Sequence, residues 1–279
     1  MESRVLLAAA FPEFVDPNPN PGNQFGATIV PLSSGNVVVT SPFDDAGGTD
    51  AGAVYLFNGA TGALISTLRG SSASDQIGES IGGNSNGAQN VLALSNGNFV
   101  VRSSSWDNGS AVNAGAVTWG SGVTGWGSGS TPISETNSLV GTSADHGVGV
   151  LTPIPVGNGN YAVPSPGWDN GTVLNVGAVT WGNGTTGISG TISDANSLVG
   201  SSTNDTVGSR NTINVLSNGN YVVGSSTWDN GTAVNAGAAT WGNGNSAVTG
   251  TISAANSLIG STTDDNVGAL VRGLTNGNF

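Results

Sequence analysis

The chain has 279 residues, with 46 glycines, no cysteine and no lysine; five arginines stand against 17 carboxylates, for a net charge of −12. That balance argues against nucleic acid or an anionic membrane surface as partner, because both need clustered Lys and Arg, and the missing cysteines remove disulfide frameworks and thiolate chemistry. Only 8% of residues are charged, well under the usual globular share, and no apolar run is long enough to cross a bilayer as a helix.

Residues 1–22 differ from the rest. The apolar run at 5–11 is short and follows Glu2 as well as Arg4, so it makes a poor secretion signal. Behind it, FVDPNPNPG alternates proline with polar residues, which predicts an extended or disordered segment. The opening MESRVLLAA resembles the LEPR-xLL motif near the start of giant surface proteins of planctomycetes. Glu2, Arg4, Leu6 and Leu7 match it, while Met1 and Ser3 replace the expected leucine and proline. The resemblance implies an exported, surface-associated protein whose true start need not be Met1.

From residue 23 to 279 the sequence repeats. LSNGNFVVRSSSWDNGSAVNAGAVTWG at 94–120 returns at 156–182 and again at 216–242, with tryptophans at 106, 168 and 228, steps of 62 and 60 residues. A repeat of this size decides the architecture before any local reading does. Each unit offers about four strand-sized pieces; in the fourth these are 209–216, 220–225, 236–241 and 248–259. Asn-Gly and Gly-rich turns separate them, the signal of an antiparallel meander, and helical periodicity is absent. A small four-stranded sheet cannot bury both faces alone, so the units must stack on one another. Ala and Gly in pieces such as AGAVTWG let sheets approach, while Trp119, Trp181 and Trp241 supply bulk.

The first unit, residues 25–68, resembles the FG-GAP repeat of integrin-type β-propellers, through Phe25-Gly26, Ser41-Pro42, residues 51–57 and the Asn-Gly-Ala-Thr-Gly turn at 58–62. Later units replace Phe-Gly by Ile77-Gly78, Val148-Gly149, Val207-Gly208 and Val267-Gly268. The expected fold is therefore all-β: a β-propeller, or a propeller-like arc, of four-stranded antiparallel blades, with an open β-solenoid of stacked sheets as the alternative. The blades run about 26–78, 78–149, 149–208 and 208–268, with a partial fifth at 268–279. The second carries extra material at 79–90 and around 126–132. Stopping inside a fifth unit suggests a piece of a longer array, so further repeats of the same polypeptide are expected.

Candidate chemistry sits in the loops. Asp107-Asn108, Asp169-Asn170 and Asp229-Asn230 recur, with Asp44-Asp45 in the first unit, and Asp50, Asn113, Asn175 or Asn235 follows six residues after each leading Asp. Calcium takes six to eight oxygens including several carboxylates. Only Asp44, Asp45 and Asp50 offer three, so at most one weak Ca²⁺ site is expected, and there, with no other cofactor. Elsewhere the Asp and Asn side chains are expected to accept backbone N–H groups in turns. A second carboxylate recurs as Asp75, Asp145, Asp205 and Asp265, and its presence in every unit predicts a structural role. The WDNG tryptophans, with Phe43 in their place in the first unit, read as packing between blades in preference to sugar stacking.

Catalysis has little to work with. His146 is the single histidine, and no asymmetric pair of carboxylates is marked. The expected function is a non-enzymatic extracellular or cell-surface module, a scaffold or adhesion platform for a protein or glycan ligand. The alternatives are a carbohydrate-binding propeller using tryptophan rims, and a calcium-dependent hydrolase built around His146.

Overall fold

β-Branched and small residues alternate between tight turns, and each such run becomes a strand. The computed structural model describes residues 13–79 and 90–279; the motif at 1–9 and most of the extra material at 79–90 lie outside them. The first unit contains β1 (Ile29–Pro31), β2 (Asn36–Ser41), β3 (Ala53–Asn58) and β4 (Leu64–Arg69). The second contains β5 (Val91–Ala93), β6 (Phe99–Ser103), β7 (Ala116–Gly120), β8 (Ser130–Pro132) and β9 (Ser138–Val140). The third contains β10 (Ile154–Val156), β11 (Asn160–Ser165), β12 (Ala178–Gly182), β13 (Gly190–Thr191) and β14 (Ser197–Val199). The fourth contains β15 (Ile213–Val215), β16 (Tyr221–Ser225), β17 (Ala238–Gly242), β18 (Gly250–Thr251) and β19 (Leu258–Ile259). No helix occurs among the described residues.

Within each unit the strands form an antiparallel meander. The Leu-Ser-Asn-Gly-Asn turn closes the first hairpin in the same way each time: Leu94 N–H donates to the Asn98 carbonyl at 2.8 Å, and Leu216 N–H to Asn220 at 2.7 Å. The fourth strand-sized piece is not one strand. In the fourth unit, residues 248–259 split into β18 and β19 around a turn in which Ser253 N–H donates to Asn256 Oδ1 and Asn256 Nδ2 donates to the Thr251 carbonyl. Ser134 with Asn137, and Ser193 with Asn196, build the same turn.

The split has a topological result. The short strand before the turn leaves its own sheet and pairs, in parallel, with the last strand of the preceding one. β8 pairs with β4, β13 with β9 and β18 with β14. Each later unit thus donates a strand backwards. The first unit runs directly from β3 to β4 through a turn at 58–63 and has none to donate.

Side chains on the two faces of each sheet form cores shared between neighbours. Val38, Val54, Leu56 and Leu68 of the first unit face Val91, Phe99, Val101 and Trp106 of the second, and two further clusters join the second to the third and the third to the fourth. The all-β architecture in sheet-forming repeats is as the sequence predicts. Among the described residues no strand pairing joins the fourth sheet to the first, and the four sheets are compatible with an arc of blades or a row of stacked sheets.

One cross-strand pair shows how faces are matched. Phe99, Tyr161 and Tyr221 stand directly opposite Gly120, Gly182 and Gly242, and a Cβ on Gly182 would lie 2.3 Å from the Tyr161 ring. The first unit reverses the sizes, with Val37 opposite Phe57. Its outer face is covered by residues 13–25: Phe14 packs on Phe57 at 5.3 Å between ring centroids and Phe25 on Tyr55 at 5.9 Å. The proline-rich segment from residue 13 is therefore extended but docked on the first sheet.

These pairs set up a double-mutant test. Gly182→Phe alone should overpack the interface and cost about 1–3 kcal/mol. Adding Tyr161→Val, which reproduces the first unit's arrangement, should recover much of that loss. Urea midpoints of the two single variants and the pair measure the coupling; simple additivity would show that the rings do not share one space.

Candidate functional site

The recurrent loops join the second and third strands of each unit, and their geometry assigns each polar residue a partner. Asp107 Oδ1 accepts the Asn113 N–H at 2.8 Å, Asp169 the Asn175 N–H at 2.6 Å and Asp229 the Asn235 N–H at 2.8 Å. The three asparagines hold φ between 49° and 52°, a region Asn tolerates better than most residues. The carboxylates thus accept backbone N–H groups, as expected, but each closes a six-residue loop.

The first unit needs realignment. After β2 the Ser41 carbonyl accepts from Asp44 N–H, whereas Ser103, Ser165 and Ser225 accept from Trp106, Trp168 and Trp228. Asp44, not Phe43, therefore occupies the tryptophan position, and Asp45 corresponds to Asp107; it accepts the Asp50 N–H at 2.8 Å. The first loop is one residue shorter, so counting six residues from Asp44 to Asp50 conceals the shift. Asp44 is fully buried and accepts from Asn18 Nδ2, Ala46 N–H and the Tyr55 hydroxyl. Its burial and that carboxylate push the Tyr55 phenol well above its ordinary range. Asp45 is exposed and also accepts from Asn20 Nδ2. Asp44, Asp45 and Asp50 are neighbours in sequence, yet the oxygens of Asp44 point inward to these donors. Among the described residues no group of three or more His, Cys, Asp or Glu is arranged to hold a metal.

The second carboxylate forms a knot between units. Asp75 Oδ2 accepts Ser71 N–H at 2.7 Å and Ser72 N–H at 2.8 Å, and its Oδ1 accepts Asp107 N–H from the next unit at 3.0 Å. Asp205 does the same with Ser201, Ser202 and Asp229. Trp106 and Trp228 complete the knot by donating Nε1–H to Ser71 and Ser201 hydroxyls. Burial pushes the Asp75 and Asp205 carboxyls up, against the pull of three N–H donors. Asp265 has the equivalent serine and threonine N–H bonds but lies exposed, and hydrogen bonds led by the Thr262 hydroxyl hold its pKa down.

In the second unit this position belongs to His146 and not to Asp145. His146 is buried; Thr142 N–H points to its Nδ1 and Asp169 N–H to its Nε2, both at 3.3 Å. Asp145 takes the place of Asn204 and Asp264, accepting from Asn113 Nδ2 as they accept from Asn175 and Asn235. The adjacent Asp145-His146 pair misleads a reading by residue type. Burial holds the imidazole below its usual pKa, with the Asp169 carboxylate 3.7 Å away pulling it up. A neutral imidazole carries one acceptor nitrogen, so it cannot serve both N–H groups as a carboxylate does.

A further constellation escaped sequence reasoning: a relay of asparagine amides and turn glycines through all four units. Asn36 Nδ2 donates to the Gly122 carbonyl at 2.8 Å, and Gly122 N–H to Asn98 Oδ1 at 3.0 Å. Asn98 Nδ2 donates to Gly184 at 2.8 Å, and Gly184 N–H to Asn160 at 2.9 Å. Asn160 Nδ2 donates to Gly244 at 3.0 Å, and Gly244 N–H to Asn220 at 3.1 Å. Trp119 and Trp181 donate Nε1–H to the same Gly184 and Gly244 carbonyls. The repeated N-G-N and W-G-x-G spacings were the available signal. Trp241, expected as interior bulk, is 45% exposed; among the described residues no turn glycine carbonyl accepts from it as Gly184 and Gly244 accept from Trp119 and Trp181. The WDNG tryptophans are 3–5% exposed and fill the cores, as expected of packing residues.

A family model described as "Repeat of unknown function (DUF5650)" matches residues 31–79, 93–150, 155–209 and 215–269, most of the chain and all four units. No curated protein matches the sequence.

Two measurements follow from these placements. Trp168→Ala should cost about 3–5 kcal/mol as a core truncation, while Trp241→Ala at its half-open position should cost under about 1 kcal/mol; equal urea midpoints for the two variants would contradict the packing. For His146 the folded pKa lies below the unfolded value of about 6.5. The unfolded chain then binds the extra proton, so the stabilising share of neutral His146 is whole above that value and lost as pH falls below it. The slope reaches at most about 1.4 kcal/mol per pH unit. His146→Asp, matching the other units, should flatten this part of the stability–pH curve; an unchanged slope would show that another group titrates.

Proposed function

The chain belongs to this repeat family of unknown function, and from that premise we propose that it is a non-enzymatic module working at the cell surface, as a scaffold or adhesion platform. The observation that carries the reading is the employment of its polar residues. The recurrent Asp and Asn side chains, and His146 in the odd unit, are held by backbone N–H groups, carbonyls or one another, many of them across the seam between units. Such side chains are committed to turns and seams and hold an array together. The resemblance of the first unit to FG-GAP repeats and of residues 1–9 to a surface-protein motif supports the location.

One feature favours a carbohydrate-binding reading as the second choice. Trp119, Gly125, Trp126, Asn137 and Thr186 line an open cleft of about 240 Å³ between the second and third units. An aromatic face beside an amide and a hydroxyl is the chemistry that holds a sugar ring.

Two experiments separate the readings. Protease treatment of intact cells that make the protein should release array fragments; full protection with the cells unbroken would remove the surface location. On a glycan array the scaffold should give no signal that Trp126→Ala abolishes, and saturable binding lost in that variant would establish the lectin reading instead.

A further inference from the structure

Arginine is scarce here, with five in a chain of net charge −12, and the array still brings two of them together. Arg102 lies near the end of β6, where Thr40, Pro164 and Gly224 stand in the other units; it is opposite Val117 as they are opposite Val54, Val179 and Ala239. Arg210 stands two residues after Gly208, a place taken by Thr28 after Gly26 and by Leu151 after Gly149. Both arginines break the repeat. Residues that serve stacking recur from unit to unit, so a departure from the pattern is where an individual site is to be sought.

The third unit links the two. Arg102 is buried and donates Nη1–H to the Gly149 and Val150 carbonyls, at 3.2 and 2.9 Å. Those carbonyls begin the segment whose next residues, Leu151 and Thr152, line a cleft of about 210 Å³ between the third and fourth units. Arg210 and Asn211 line it from the fourth unit, and Pro164 and Ile213 add apolar surface. Burial pushes the Arg102 guanidinium below its ordinary pKa, and the Arg210 charge pushes it the same way, as a like charge nearby must. Among the described residues the Arg210 guanidinium, the Asn211 amide and the Thr152 hydroxyl make no hydrogen bond or ion pair.

We propose that this cleft binds a small organic anion with one carboxylate on an apolar body, the carboxylate held by Arg210 and the body set against Leu151, Pro164 and Ile213. A guanidinium presents two parallel N–H groups that match both oxygens of a carboxylate. The Asn211 amide and the Thr152 hydroxyl have donors left for its remaining lone pairs. A bound anion also offsets the repulsion between the two guanidinium groups, so Arg102 strengthens the site from behind the 149–152 segment. One free guanidinium beside apolar walls suits a single negative charge better than a phosphate, which brings nearly two charges and three acceptor oxygens. The proposal stands apart from the cell-surface reading.

The test titrates the full chain with sodium benzoate at constant ionic strength and follows the backbone amides by NMR. Saturable shifts at Ser209, Arg210, Asn211, Leu151 and Thr152 are expected, with a dissociation constant on the order of 1 mM. Arg210→Leu, which places the third unit's residue type there, should weaken binding about tenfold or more. Arg210 is exposed, so that variant keeps its fold. Benzamide, which lacks the charge, and acetate, which lacks the apolar body, should each bind at least about fivefold more weakly than benzoate. No saturable shift at up to about 20 mM benzoate would overturn the proposal, as would Arg210→Leu binding as tightly as the parent. Benzamide or acetate matching benzoate would overturn it too, and inorganic phosphate binding more tightly than benzoate would overturn the choice of a carboxylate.

Discussion

The structure depends on how closely one unit's turn can approach the hairpin beside it. A Cβ on Gly122, Gly184 or Gly244 would lie 1.8, 1.7 or 2.0 Å from a backbone carbonyl of its own unit. Only glycine permits that approach, and only at that distance do the turn N–H and carbonyl reach two asparagines in adjacent sheets. Each such bond contributes about 1 kcal/mol net. The seams therefore owe their registry to it and most of their stability to the shared cores, where Phe99, Tyr161, Tyr221 and the buried tryptophans lie.

Repetition with one altered end follows from the same constraint. A stacked unit exposes a face wherever the stack lacks a neighbour, and repeat proteins alter such terminal faces. In the first unit Asp44 replaces the core tryptophan, Tyr55 takes the place of Thr118 and donates to it, and Phe57 replaces the glycine under the aromatic ring. Residues 14–25 then cover what a preceding unit covers elsewhere. Asp44 and Asp45, two of the three carboxylates expected to form an ion site, accept from Asn18, Asn20 and Tyr55 on this face.

The seam between the second and third units is chemically different from its neighbours. A buried carboxylate accepting three N–H groups is replaced there by His146, which has fewer acceptor sites. Both kinds of seam use a buried titratable group, and burial shifts each toward its neutral form, up for Asp75 and Asp205 and down for His146. At Asp265, which is exposed, hydrogen bonds led by the Thr262 hydroxyl reverse the shift. Stacking itself sets these acidities.

The sequence by itself determined the all-β class, the number of units, their length and the turns, because these follow from local period-two patterns and from glycine and asparagine at fixed spacings. It also marked Trp106, Trp168 and Trp228 as packing residues. Only the tertiary structure decided which residues are equivalent. Backbone bonds, and not residue types, pair Asp44 with the tryptophans and His146 with Asp75, since a one-residue change of loop length shifts an alignment silently. The donated strands β8, β13 and β18 were likewise invisible: two or three residues carry no strand signal of their own, and their partner lies in the neighbouring unit. Trp119 and Trp181 are the plainest case: each donates to a turn glycine of the neighbouring unit, a contact between sheets that their own sequence context does not announce.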